Sequence, residues 1–408
     1  MDTSLALTAA LGMLLVRLGM ALVHTGSVRA KNSVTVLVRG LLELSLAVLV
    51  FAGLGAALAL ARGGNGVLAL QPGLLLNLPD PSLAGPTLVL LMAVVLCVAI
   101  VSGVQAERAR LRVILWMAAV LAGVVVPLAA YWSFGHRGWL GRLGFRDSAG
   151  AGAIHLVGGL SAAVLALAAG PRSGKYNRDG SSNAIPGHSL PLATVGVTLM
   201  LFAWPLYAAA FGAALDGRGA FRMELAAVNV MVAAASGALV SAVFCMWRYG
   251  KVDMHLLGGG LLGAAVAISA APYGPMRLAL GTGVLTGLLV CWLTLLLDVR
   301  FRLDDPIGAV AIHGGGGLLG LLAASFATQP ASLAQWCRAL GVQALGAAAI
   351  ASLALLAGAL VVLALKAIGP LRVPEADEYD GLDLAEHDLG AYPDFQQNTI
   401  KSYHLREV

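Results

Sequence analysis

Apolar runs fill most of the chain and are separated by short polar islands. A hydrocarbon core of ~30 Å takes about 20 helical residues. Eleven runs approach or exceed that length, roughly 4–26, 34–61, 86–106, 111–131, 148–169, 189–214, 224–247, 254–271, 276–298, 306–327 and 339–368. The alternation of a membrane β-strand is absent. The pattern predicts an all-α polytopic membrane protein, with eleven transmembrane helices over residues 1–370 and a polar tail over 371–408. The first run lacks a basic stretch before it and a small-residue cleavage pattern after it, so it reads as a retained helix.

Composition agrees with the pattern. The 408 residues are 59% hydrophobic and 12% charged, against roughly a quarter charged in a soluble domain. The islands after odd-numbered runs, "VRAKN" (28–32), "ERARLR" (107–112), "GPRSGKYNR" (170–178), "WRYGK" (247–251) and "DVRFR" (298–302), are rich in Lys and Arg. Those after even-numbered runs are sparser, apart from "YWSFGHRGWLGRLGFRD" (131–147). The positive-inside rule then predicts an outside N-terminus and a cytoplasmic tail. The pI near 9.2 reflects this scatter of loop charges, and no basic patch for nucleic acid is expected. Cys97, Cys245, Cys291 and Cys337 have neither metal nor redox spacing. No run carries a nucleophile–base or zinc-protease motif, so neither an enzyme nor a cofactor is expected.

Two windows stand out. "DSAGAGAIHLVGGL" begins at Asp147 and "DPIGAVAIHGGGGL" at Asp305, and they share Asp, Gly, Ala, Ala, Ile, His, Gly, Gly and Leu at the same offsets. The first opens the fifth run and the second the tenth, from opposite membrane faces. Eight residues of helix rise about 12 Å, so His155 and His313 are expected near the midplane. Two five-helix repeats of inverted orientation, followed by an eleventh helix, account for this placement. Intramembrane titratable groups mark pathways or relays, and two at symmetric depth point to a working pair. A metal is not implied, since no third ligand stands at that depth. Asp147 and Asp305 read as helix N-terminal acids supporting the pair, with Pro306 at a first helical position. The window glycines let backbones approach closely.

The segment "DDPIGAVAIHGGGGLLG" (304–320) resembles DDPVGAVxVHGxxGxxG of the Amt/Rh ammonium transporter family, and "DSAGAGAIH" resembles its DFAGGxxVH. Further similarities follow in order: "GMALVHTGSVRAKNSV" (19–34), "IVSGVQAERARL" (100–111), "GPRSGKYNRDGSSNAIPGHSLPLATVG" (170–196) and the tail motif "GLDLAEHDLGAYPDF" (381–395). The resemblance implies a plasma-membrane homotrimer with one hydrophobic pore per subunit. Ammonium is recruited at an outer vestibule, passes stacked phenylalanines and crosses as ammonia beside twin histidines, matched by His155 and His313. It also implies a tail folded on the cytoplasmic face through Gly381, Leu382, Asp383, Glu386 and His387, able to receive a PII-type signalling protein.

The outer site departs from the family pattern. By this alignment Ala93 stands for the first gate phenylalanine, Leu90 for a glutamine, and Tyr207 for the second gate position. Ala208 stands for an asparagine, Phe211 for the vestibule serine and Phe134, with Trp132 nearby, for the outer tryptophan. Cation–π attraction is strongest for Trp, and lost side-chain oxygens remove acceptors for ammonium. Val23 and His24 replace a Phe-Tyr pair. Arg17, in an apolar helix, is expected either to pair with a carboxylate such as Glu43 or Glu224 or to line the lumen. The expected function is ammonium/ammonia transport. The alternatives are a non-conducting receptor on the same fold, or a channel for another small neutral molecule such as methylamine or carbon dioxide.

Overall fold

A computed structural model of the chain describes residues 3–216 and 222–392. It is helical, with two isolated β-bridges as the extended pairing among the described residues. We number the helices α1 (Thr3–Ser27), α2 (Ala30–Ala59), α3 (Ala84–Val104), α4 (111–134), α5 (Ala151–Ala169), α6 (Leu190–Asp216) and α7 (Met223–Tyr249). They continue as α8 (Met254–Ile268), α9 (Met276–Val299), α10 (Val310–Thr328), α11 (Leu333–Ile368), α12 (Glu375–Asp380) and α13 (Leu382–His387).

Among the described residues, ten helices are long and apolar enough to cross a membrane, and the chain is a multi-pass membrane protein. The exception is α8, whose 15 residues rise about 22 Å, where an 18-residue run was expected. Its end has another use. The carbonyls of Ser269 and Ala270 accept the N–H groups of Ala149 and Ser148 at 2.8 and 3.0 Å, so the chain turns there and holds the lead into α5.

Small residues set the packing of α1 against α6. Gly12, Gly19 and Gly26 fall every seven residues along one face of α1, and a Cβ on any of them would meet α6 backbone. The partners at these levels are Tyr207, then Gly196 with Met200, then Ala193 with Ser189 just ahead of α6.

At the end of the bundle that carries the tail, the polar islands converge on one buried ion network. Glu107 accepts from Arg29 Nε at 2.9 Å, Asn32 Nδ2 at 2.6 Å and the Arg172 guanidinium. Arg172 also donates to both Asp304 oxygens, at 2.8 and 2.9 Å, and Arg108 donates to the Asp304 carbonyl at 2.7 Å. The connections after α1, α3, α5 and α9 are thus tied together. Burial alone would raise the Asp304 carboxyl, but the hydrogen bonds and charge of Arg172, with Arg108, hold it down to about 2.

Composition reads the tail as solvated, whereas the described part of it packs closely. Asp383 accepts from Val34 and Thr35 N–H at 3.0 and 2.7 Å, filling the open donors at the start of α2. Glu386 grips Arg39 through both oxygens at 2.7 and 2.9 Å, and Leu382 is fully buried. Gly381 has φ +110° and lies against Lys31, where a Cβ would collide. His387 ends α13. Most of the closing stretch, residues 393–408, lies outside the described residues.

A depressed carboxylate stabilises the fold above its unfolded pKa, and that contribution disappears as pH falls through the folded value. Asp304 should therefore hold this face together above about pH 4 and release it as pH falls toward about 2. Asp304→Asn at neutral pH should cost about 3–5 kcal/mol, since it strands Arg172 and Arg108 without their buried partner. Thermal unfolding of the detergent-solubilised protein measures this; an unchanged melting temperature would show the network to be dispensable.

Candidate functional site

The two histidine windows fold alike. Each begins with an unwound lead in which a glycine takes a left-handed conformation, Gly150 at φ +77° and Gly308 at φ +69°. Each continues as a π-wound turn holding the histidine, Ala151–Leu156 and Val310–Gly315. The helices begin later than the apolar runs suggested, so His155 and His313 lie within the first turn or so rather than eight residues in. Asp147 and Asp305 stand before their helices and reach back over the leads, and Pro306 lies in the turn ahead of α10. Asp147 accepts from Gly152 and Ala153 N–H at 3.1 and 2.9 Å, and Asp305 from Ile307 and Val310 at 3.2 and 2.8 Å. These donors sit where a helix start leaves N–H groups open.

Wide π turns carry the histidines to a backbone-on-backbone crossing. Gly159, four residues past His155, lies against the backbone of Gly314, and Gly317, four past His313, against Ala151 and Leu156. The two imidazoles meet there, Nδ1 to Nδ1 at 3.1 Å, with ring centroids 5.0 Å apart and planes 13° from parallel. His155 is wholly buried, and His313 is nearly so.

A file of aromatic rings leads from the other end of the bundle to this pair. Phe134 meets Phe211 edge-on at 5.7 Å, Phe211 meets Tyr207 at 5.8 Å, and Tyr207 meets His155 at 6.4 Å. Trp204 stacks on His155 at 5.3 Å and donates to Ser269 Oγ at 2.9 Å. The Tyr207 hydroxyl donates to the Ala149 carbonyl and lies 3.4 Å from His155 Nε2. If the tyrosine oxygen in turn accepts from Nε2–H, the tautomers of both rings are set. Neutral His155 then keeps a bare Nδ1 that accepts from His313 Nδ1–H, leaving His313 Nε2 unprotonated.

Above the file lies a cavity of about 480 Å³, lined in part by Phe134, Asp147, Arg146 and Arg222. Of the positions singled out as altered, Phe134, Tyr207 and Phe211 converge here; Ala93 is buried in α3 and adds no ring. The tail residues lie at the opposite end. Arg17 pairs with Glu43 at 2.9 Å, and His24 lies against Gly103. Sequence reasoning missed Trp204, whose only signal was its place in "LFAW", three residues before Tyr207. It also read the islands holding Glu107, Arg108 and Arg172 as topology signals and gave Asp304 no role, so the network they form was missed.

Comparison with known proteins places these features in context. The family model described as Ammonium Transporter Family matches residues 4–392. The chain is 33% identical over 397 residues to the ammonium transporter Amt2 of Haloferax mediterranei, covering 92% of this chain and 86% of that one. It is 30% identical over 407 residues to Amt2 of Archaeoglobus fulgidus, covering 92% and 85%. Among solved structures, one described as a "Sensor Amt Protein" superposes with TM-score 0.89 at 28% identity, covering 94% and 98%. A variant of Mep2 from Candida albicans gives TM-score 0.81 at 23% identity over 98% and 94%, a likeness of fold alone.

The crossing leaves no room for a side chain at Gly159. Gly159→Ala should push α5 and α10 apart and cost about 1–3 kcal/mol of stability, as overpacking does. Gly281→Ala, where a Cβ meets open space, is the control. Equal melting temperatures for the two variants would contradict the close crossing.

Proposed function

Because the chain belongs to the ammonium transporter family, we propose that it moves ammonium nitrogen across the membrane as ammonia, through a pore at the His155–His313 pair. The observation that carries this reading is the buried Nδ1–Nδ1 contact of 3.1 Å at the crossing of two helices with matching starts. A cation at the bilayer centre costs at least about 2.5–3.5 kcal/mol. A cargo that sheds its proton escapes that cost, and potassium cannot do so. The bare Nε2 of His313 accepts from ammonia's N–H, and the shared Nδ1 proton fixes which nitrogen accepts. Asp147 and Asp305 serve the pore indirectly, by satisfying the unwound backbone that presents the rings.

Parity supports the topology. Contacts among the connections after α1, α3, α5 and α9 and the tail put these segments on one face. Four helices separate Arg172 from Asp304, so short α8 must cross as well, which supports eleven spans in two inverted five-helix halves plus α11. Lys/Arg enrichment supports N-out and C-in, with Phe134, Tyr207 and Phe211 on the outer side and the tail in the cytoplasm. Family membership supports a homotrimer in the plasma membrane and a PII-type protein at the tail face.

A second reading is favoured by one observation. The continuous ring file offers a cation no oxygen acceptors, and the similar protein described as a sensor makes an ammonium receptor the alternative.

Labelled methylammonium uptake and ammonium-evoked current in proteoliposomes separate the two readings. His155→Ala and His313→Ala should each lower flux about tenfold or more, matching loss of a buried hydrogen-bond partner worth about 1–3 kcal/mol. If wild type and the double variant are equally inert, conduction is ruled out. Phe211→Ala should raise flux if the file is a gate; a wild type that binds ammonium without flux even then supports the receptor.

A further inference from the structure

The two histidine windows match in sequence, but the surroundings of their rings do not. His155 stacks on Trp204 at 5.3 Å and meets Tyr207 edge-on at 6.4 Å. His313 has His155 as its one ring neighbour among the described residues. His155 is 0% exposed and His313 6%. The pair thus has a closed end toward the ring file and a more open end at His313.

At the closed end the polar hydrogens are already placed. The Trp204 N–H donates to Ser269 Oγ at 2.9 Å, and that hydroxyl donates to the Ala265 carbonyl at 2.8 Å. The Tyr207 hydroxyl donates to the Ala149 carbonyl. Asp147, the acid of this window, accepts from the N–H groups of Gly152 and Ala153 and from no side chain among the described residues. A bare Nε2 on His155 would find no donor here, and a buried polar atom without a partner is costly. A protonated Nε2 finds one acceptor, the Tyr207 oxygen at 3.4 Å, which still has a lone pair to offer. Burial thus favours the Nε2–H tautomer of His155. The 3.1 Å contact between the rings passes that choice on, so His313 is protonated at Nδ1 and bare at Nε2.

We propose that the Tyr207 hydroxyl blocks protons at the ring-file end of the histidine pair, so that ammonia crosses with no proton following it through the two imidazoles. The cargo in this statement rests on the transport reading above; the tautomers rest on the geometry alone. A relay through two imidazoles needs a proton delivered to, or taken from, the outward nitrogen at each end. At His155 that nitrogen already carries a hydrogen and faces an oxygen whose own hydrogen is tied to backbone. The Ala149 carbonyl has no hydrogen to pass on, and a neutral phenol does not take up a second one. Hops therefore stop at Tyr207, which acts on the pair as a positioning residue. Tyr207→Phe keeps the ring and removes the block.

The test compares wild type with Tyr207→Phe, both as the full chain in lipid vesicles. Solid-state NMR of protein made with isotope-labelled histidine reads the tautomers, and spectra of His155→Gln and His313→Gln assign the two rings. Wild type should show His155 protonated at Nε2 and His313 at Nδ1. Tyr207→Phe should move that ratio about three- to tenfold toward the reversed pair, the effect of one lost hydrogen bond. In the same vesicles Tyr207→Phe should raise ammonium-evoked current several-fold relative to labelled methylammonium taken up. Mixed tautomers in wild type overturn the proposal, as do unchanged tautomers in Tyr207→Phe. So does a ratio of current to uptake that is equal in the two proteins. Wild-type vesicles with the expected tautomers but neither uptake nor current would uphold the role of Tyr207 and fail the transport reading alone.

Discussion

Backbone N–H groups that leave a helix inside a membrane have no water to turn to, and the fold is built around satisfying them where they matter most. The leads into α5 and α10 are unwound from the aspartate to the left-handed glycine; Asp147 accepts two hydrogen bonds from the turn beyond, and Asp305 accepts one from that turn and one from Ile307 within the lead. The end of α8 contributes two carbonyls to the first lead. Irregular backbone is tolerated at membrane depth only when protein covers it in this way. Once the leads are satisfied, the π turns present an imidazole from each half, and the glycines beyond allow the backbones to touch. Replace either aspartate by an apolar residue and the geometry of the pair has no support.

The opposite end of the bundle uses charge for a comparable purpose. Glu107 and Asp304 face Arg29, Arg108 and Arg172 in an enclosed cluster, where each acid touches more than one arginine. Removing a single member would leave its partners buried and uncompensated. Asp383 and Glu386 extend the same logic to the tail, by filling open donors of α2 and pairing Arg39. The tail is held by groups that the transmembrane helices could not satisfy by themselves, which makes it part of the fold rather than an appendage.

Much of this was legible from residue order. Run lengths marked the helices, and the matched windows at 147 and 305 marked the crossing, because the two windows carry the same local chemistry and fold alike. The departures have specific causes. Hydropathy counts apolar residues, so it extended α8 through Ser269 and Ala270, whose carbonyls serve another segment. It also began α5 and α10 too early, since Ala149 and Ile307 are apolar yet not helical. The ion network was invisible because its members sit far apart in sequence and each looks like a loop charge. Arg17 and Glu43 could be paired on paper, and the structure pairs them.

The ring file and the histidine pair pull in different directions, and their chemistry defines the transport problem. Phe211 and Phe134 offer a guest faces and edges but no oxygen acceptors, and Tyr207 commits its proton to Ala149. An ammonium ion approaching through this file would surrender hydration without equivalent hydrogen bonds in return. Neutral ammonia faces a far smaller penalty, and the first strong acceptor it meets belongs to the histidines. On the proposed transport reading, selection by charge would operate before the pair is reached, at the rings, while the pair would select for a molecule that can donate a hydrogen bond to imidazole.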